Sequence, residues 1–117
     1  MTPEPTALEW VLLRLIEVGP KLDNDYRLHR LFMGTEACTD FWQSLRDLVA
    51  KGWVSVEDPK AQVKQYFTRE PGRRLLAEGY STAKVKDYLI SIDPRGLILH
   101  LLELRDRKVP DKPACGA

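Results

Sequence analysis

The amino-acid sequence predicts a mainly α fold with one small β-hairpin, and three observations point to it. Apolar residues recur at helical spacing from Leu8 to Val49, with breaks at Gly19-Pro20 and at Gly34. WVSVE (53–57) and VKQYFT (63–68) are short, rich in β-branched and aromatic side chains, and separated by DPKAQ. Helical spacing resumes beyond Pro71 and continues to Lys108.

The first helix opens at Thr6. Thr6-Ala7-Leu8-Glu9 has the S/T-x-x-E pattern of a capping box, in which hydroxyl and carboxylate satisfy each other's backbone donors. Leu8, Val11, Leu12, Leu15 and Ile16 form a one-sided stripe, which Gly19 and Pro20 end. After the polar loop KLDN comes a short second helix in DYRLHRLFM, with three of Tyr26, Leu28, Leu31 and Phe32 on one face, ending at Gly34. Thr35 is the expected cap of the third helix, whose stripe is Cys38, Phe41, Trp42, Leu45, Leu48 and Val49, closed by Lys51-Gly52. The hairpin turns at Asp58-Pro59. Pro71 suits the first turn of a fourth helix, in which Leu75 and Leu76 face inward before Gly79. Beyond STAKVKDYLISI, Asp93 and Pro94 read as cap and first-turn residue of a last helix. Its Leu97, Ile98, Leu99, Leu101, Leu102 and Leu104 lie on more than one face, which calls for two partners. VPDKPACGA, 109–117, is expected to be a loose, flexible tail.

Composition bounds the function. A chain of 117 residues suffices for one core, burying roughly two-thirds of the surface exposed on unfolding. With 44% apolar and 30% charged residues it has enough apolar side chains to offset chain entropy. A formal charge of +1 gives no bulk attraction to nucleic acid, so such binding requires local clusters of Lys and Arg. Cys38 and Cys115 make no disulfide framework and match no metal spacing, which fits a reducing cytosol with no cofactor. MTPEPTALEW lacks a basic leader, and no apolar run nears the roughly 18 residues that cross a bilayer. The expected address is the cytoplasm, with no membrane partner.

Three helices followed by a two-stranded ribbon is the element order of the winged helix-turn-helix. There the third helix is presented to the major groove and the ribbon tip to the backbone or minor groove. A major groove about 12 Å wide admits a helix, and a ribbon beside it offers donors to phosphates without reading bases. LIEVGPKLDNDYRLHRLF resembles the first two helices of PadR-type transcriptional regulators, with Gly-Pro after helix one and Tyr-x-Leu in helix two. DFWQSLRDLVAKGWV resembles their third helix: an apolar-aromatic pair, a Leu, another Leu three residues on, and a Gly ahead of the first wing strand. MarR-type regulators share the Leu-x-x-Leu-x-x-x-Gly ending. The resemblance spans about residues 7–79 and departs in three places: a longer loop from Gly19 to Tyr26, one more residue in TREPG, and acidic residues early in helix three. It implies a winged-helix domain over 6–79, C-terminal dimerisation helices over 80–108, and a homodimeric regulator that represses transcription from double-stranded DNA.

The face of helix three opposite its core stripe bears Glu36, Thr39, Asp40, Gln43, Arg46 and Asp47, with Thr35 ahead of it. On DNA, Gln43 suits adenine, Arg46 suits guanine or a phosphate, and Asp40 suits cytosine N4. Glu36 and Asp40 serve equally well as dipole-stabilising acids, worth roughly 0.3–1 kcal/mol each. The candidate phosphate contacts are Lys60 and Lys64 of the wing, with Gln62 between them, then Arg69, Arg73 and Arg74, and Arg27 and Arg30 on helix two. About four engaged cations on each of two protomers give a salt slope near −7. Dimerisation is then part of binding. Leu97, Ile98, Leu101, Leu102 and Leu104, with Trp10 and Leu13 of helix one, are the candidate dimer residues; the alternative is that the last helix completes the monomer core.

Enzymatic readings find no support. His29 and His100 have no carboxylate or cysteine at helical spacing on an open face. DNDYR lacks the glycine and terminal glutamate of a calcium loop. Cys38, on an apolar stripe, is expected to act as a small hydrophobe. Two further readings stay open: a winged helix that binds protein, and a DNA-binding accessory protein of a phage or mobile element. No effector ligand is assigned.

Overall fold

The computed structural model describes residues 4–18 and 24–108. Its elements are α1 (Ala7–Val18), α2 (Asp25–Phe32), α3 (Cys38–Ala50), β1 (Val54–Val56), β2 (Tyr66–Thr68), α4 (Glu70–Gly79), α5 (Thr82–Ile92) and α6 (Leu97–Lys108). A mainly helical chain with one small antiparallel sheet is what the sequence predicted. The expectations for Gly19, Pro20 and the tail 109–117 fall outside the described residues.

The capping box at the start of α1 is formed as expected: Thr6 N donates to Glu9 Oε1 at 2.9 Å, and Glu9 N donates to Thr6 Oγ1 at 3.1 Å. The one-sided stripe is not what α1 uses. Trp10, Val11, Leu12, Leu13, Leu15 and Ile16 are all buried, and so is Glu9, because α3, α4, α5 and β2 surround the helix. Glu9 pairs inside the protein with Lys51, whose Nζ donates to Oε1 at 3.0 Å and Oε2 at 2.9 Å. Lys51 is the C-cap of α3, so this pair ties the start of α1 to the end of α3.

Asn24 caps α2 by accepting from Arg27 N at 2.8 Å, and Leu28 and Phe32 enter the core with Leu31 at its edge. Thr35 does not cap α3. Its hydroxyl donates to Phe32 O at 2.7 Å and accepts from Ala37 N at 3.3 Å, so the side chain closes the end of α2 and leaves Ala37 as an uncapped N-terminus for α3. Phe41, Leu45 and Leu48 are the core face of α3. Gly52, at φ +79°, then reverses the chain into β1, a conformation in which a Cβ is disfavoured.

β1 and β2 pair with Val54 opposite Thr68, Ser55 opposite Phe67 and Val56 opposite Tyr66. The strands are shorter than WVSVE and VKQYFT suggested, because the start of the second run has another partner. Gln65 bridges Asn24, Asp25 N donates to Lys64 O at 3.0 Å, and Lys64 N donates to the Asp25 carboxylate at 3.1 Å. At the far end Arg69 N donates to Trp53 O at 2.8 Å, and α4 begins against that carbonyl.

Asp93 caps α6, but the helix begins at Leu97 instead of Pro94. The Asp93 carboxylate reaches across the turn and accepts from Leu97 N at 3.0 Å and Ile98 N at 3.2 Å. Val85, Leu89 and Ile92 of α5 and Ile98 and Leu102 of α6 join the same buried cluster as α1 to α3. Asp106 ties α6 down: it accepts from Arg14 Nη2 at 3.0 Å and from the hydroxyl of Thr82.

Candidate nucleic-acid interface

Anchoring one face of α3 in the core leaves Thr39, Asp40, Gln43 and Arg46 exposed and Asp47 half-exposed. Three of these are joined in a chain. Gln43 Nε2 donates to Asp47 Oδ1 at 2.8 Å, and Arg46 Nη2 donates to Gln43 Oε1 at 3.1 Å. Asp40 faces α5, where burial first and the Asp40 charge second raise the Tyr88 phenol above its ordinary value. Asp40, Gln43 and Ser44 line one wall of a groove of about 330 Å³, closed by Thr6, Ala7 and Leu8 and by Tyr88. The outer face of α3, with Glu36 leading into it, carries three carboxylates and one guanidinium.

The candidate cations differ in their surroundings. Arg27, Arg30, Lys60 and Arg69 are exposed and have no ion-pair partner among the described residues. Arg30 stacks its guanidinium 5.6 Å from the ring centre of Tyr26, which is itself 58% exposed. Gln62 is exposed at the ribbon tip, between Lys60 and the half-buried Lys64. Lys64 turns inward, its ammonium donating to Ala61 O at 3.0 Å, and acts as a brace within the ribbon. Glu57 and Asp58 are also exposed there, so the tip is mixed in charge. Arg73 and Arg74 stand on α4. Both pair with Glu70, at 3.6 and 3.8 Å, and line a cleft of about 540 Å³ with Arg14 and Glu17 of α1. Arg73 also donates to Thr68 O at 2.8 Å, which holds the end of β2.

Two arrangements escaped the sequence reading. His29 of α2 lies with its Nε2 3.7 Å from Cys38 Sγ, and its ring stacks 5.0 Å from Trp42 and 5.3 Å from Phe41. Helical spacing reports pairs within one helix and is blind to a pair across two. Asn24 was read as part of a polar loop and Asp25 as the start of a short helix, yet both are buried and hold the base of the ribbon. The residues to either side gave no signal of this, because the partner lies 39 positions away. No group of three or more potential metal ligands occurs among the described residues.

The candidate dimer residues divide. Trp10, Leu13, Ile98 and Leu102 are buried inside their own chain, so the expectation that they face a second copy is corrected. Trp10 packs against Tyr80 at 6.2 Å between ring centres and carries Lys84 Nζ 4.8 Å above it. Leu97, 55% exposed, and the half-buried Leu104 at i+7 lie on the outer side of α6, while Leu101 at i+4 packs against the core. No described helix is long and apolar enough to cross a membrane. Comparison of the chain with models of protein families, with curated proteins and with solved structures gives no match in any of the three.

Proposed function

We propose that the chain is a cytoplasmic winged helix-turn-helix protein that binds double-stranded DNA as a homodimer and regulates transcription, repressing by occlusion of a promoter. The observation that carries this reading is the coupling of α2, α3 and the ribbon. The Asn24–Gln65 bridge and the Asp25–Lys64 hydrogen bonds fix the wing at the start of α2, while the polar face of α3 and the ribbon tip stay open to solvent. In the proposed complex α3 enters the major groove, and Lys60, Arg69, Arg27 and Arg30 hold phosphates on either side. Arg73 and Arg74 take no part. Leu97 and Leu104, on the outer side of α6, pair two protomers, which a two-fold operator requires.

The test is the binding of a random-sequence duplex followed by anisotropy over a range of salt. Four cations on each of two protomers predict a slope of log affinity on log salt of about −7. Lys60→Ala lowers its magnitude by about 1 per protomer. Lys64→Ala changes it less, because that ammonium is committed to Ala61 O. Leu97→Glu with Leu104→Glu is expected to yield monomers in sedimentation and to halve the slope. An unaltered protein that ignores duplex at low salt refutes the proposal.

A second reading, a winged helix that docks on a protein, is favoured by one observation: the carboxylates of Glu36, Asp40 and Asp47 outnumber the cation on α3. It predicts no response to duplex at any salt.

A further inference from the structure

We infer that Arg46 makes the base-reading contact of α3, to a guanine, and that Gln43 and Asp47 are positioning residues that aim it; this inference rests on the DNA-binding reading above. The amide of Gln43 is used at both ends, donating to Asp47 Oδ1 at 2.8 Å and accepting from Arg46 Nη2 at 3.1 Å. Its orientation follows from its neighbours. The opposite flip would set carbonyl against carboxylate and amino group against guanidinium, so the chain runs in one sense only. One N–H and one lone pair of Gln43 are thus committed to its neighbours and hold the amide in place, whereas the guanidinium gives up one N–H to Gln43 and retains the others.

The surrounding charge selects the ligand. Arg46 lies on a face with Glu36, Asp40 and Asp47, where a phosphate would be repelled by more carboxylates than it has cations to meet. A guanine edge carries no net charge and presents O6 and N7 side by side, which the guanidinium fork matches with two hydrogen bonds. The acids weaken indiscriminate attraction to the backbone and leave this neutral contact little affected. An arginine so placed discriminates more than it attracts.

The experiment is selection of bound duplexes from a random pool with the intact protein, then binding of the selected site with each guanine replaced in turn by deazaguanine, which lacks the N7 acceptor. At one position per half-site the unaltered protein should lose between about fivefold and about 150-fold in affinity. Arg46→Ala should be indifferent to that replacement. Asp47→Asn should lower the guanine preference and raise random-duplex affinity together, and Asp47→Glu, which keeps a carboxylate within reach of the amide, should restore both. A selected site that Arg46→Ala reads as well as the unaltered protein overturns this inference and leaves the DNA-binding reading standing. Failure of the unaltered protein to bind any duplex overturns both.

Discussion

Replacing Lys51 is expected to damage the fold more than replacing the residue it pairs with, and the reason lies in where each head group sits. The Glu9 side chain is 2% exposed and that of Lys51 28%. Glu9→Gln keeps an acceptor for Thr6 N and frees an ammonium that can turn to water, so the loss is about 1.5 kcal/mol, the low end for a hydrogen bond to a charged group. Lys51→Met removes the only cation bonded to Glu9 among the described residues and strands a carboxylate in the core, at a cost of about 3–5 kcal/mol. Against a total stability of about 5–15 kcal/mol for a small domain, that change alone brings the protein near its threshold. The double variant Glu9→Gln, Lys51→Met should recover much of the loss, because no charge is then left unmatched. Guanidinium chloride unfolding of the four proteins, read as a double-mutant cycle, measures each quantity. Equal losses for the two single variants, or additivity in the double, would refute the reasoning, since either means that water reaches Glu9.

Three other perturbations follow from the fold. A methyl group at residue 72 would lie well inside van der Waals distance of the Trp53 carbonyl oxygen and 3.1 Å from Thr68 Cγ2, so Gly72→Ala should cost about 1–3 kcal/mol by forcing α4 off the ribbon, read as a lowered denaturant midpoint. Asp93→Ala leaves Leu97 N and Ile98 N without their acceptor and should cost about 1–2 kcal/mol, with Asp93→Asn recovering part of it in thermal unfolding. The Tyr66 phenol is pushed up from 10.0 to about 12, by burial first and by the Asp25 charge second. Its proton is thus held more tightly in the fold, so this contribution to stability is complete below pH 10 and is lost as pH rises through about 12. Tyr66→Phe should flatten that alkaline decline in part, since burial also raises Tyr80 and Tyr88; an unchanged decline in urea midpoints would sink the assignment.

Local signals in the sequence were read well where local contacts decide the structure. The capping box at Thr6 and Glu9 needs only four consecutive residues, and periodicity alone finds Phe41, Leu45 and Leu48 on the core face of α3, although Trp42 of the same predicted stripe is exposed. Where a distant segment competes, the reading failed in a consistent way. VKQYFT looked like one strand, but Lys64 and Gln65 are claimed by Asn24 and Asp25. Trp10 and Leu13 lay off the main stripe and were assigned to a second copy, although a run of apolar residues on every side marks a helix enclosed by its own chain. A further clue was Glu9 itself, a charge inside that run which no surface helix needs to bury. On the candidate interface, the acidic character of α3 was visible in its residues. The chain from Asp47 through Gln43 to Arg46 was not, because rotamers decide which of several possible partners a long side chain takes. The diversion of Arg73 and Arg74 towards Glu70 was hidden for the same reason, even though all three stand within one helix.

The buried carboxylate of Asp25 also bears on how the molecule assembles. Its bond to Lys64 closes a span of 39 residues, and only three residues of each strand pair with the other. Two such short strands gain too little from each other to hold their shape alone. A peptide cut out as residues 53–68 should therefore show no ribbon, and in the folding chain that ribbon waits until α2 has formed to receive it. Its geometry is a late product of tertiary structure, and stopped-flow kinetics should place the quenching of Trp53 after the appearance of helix.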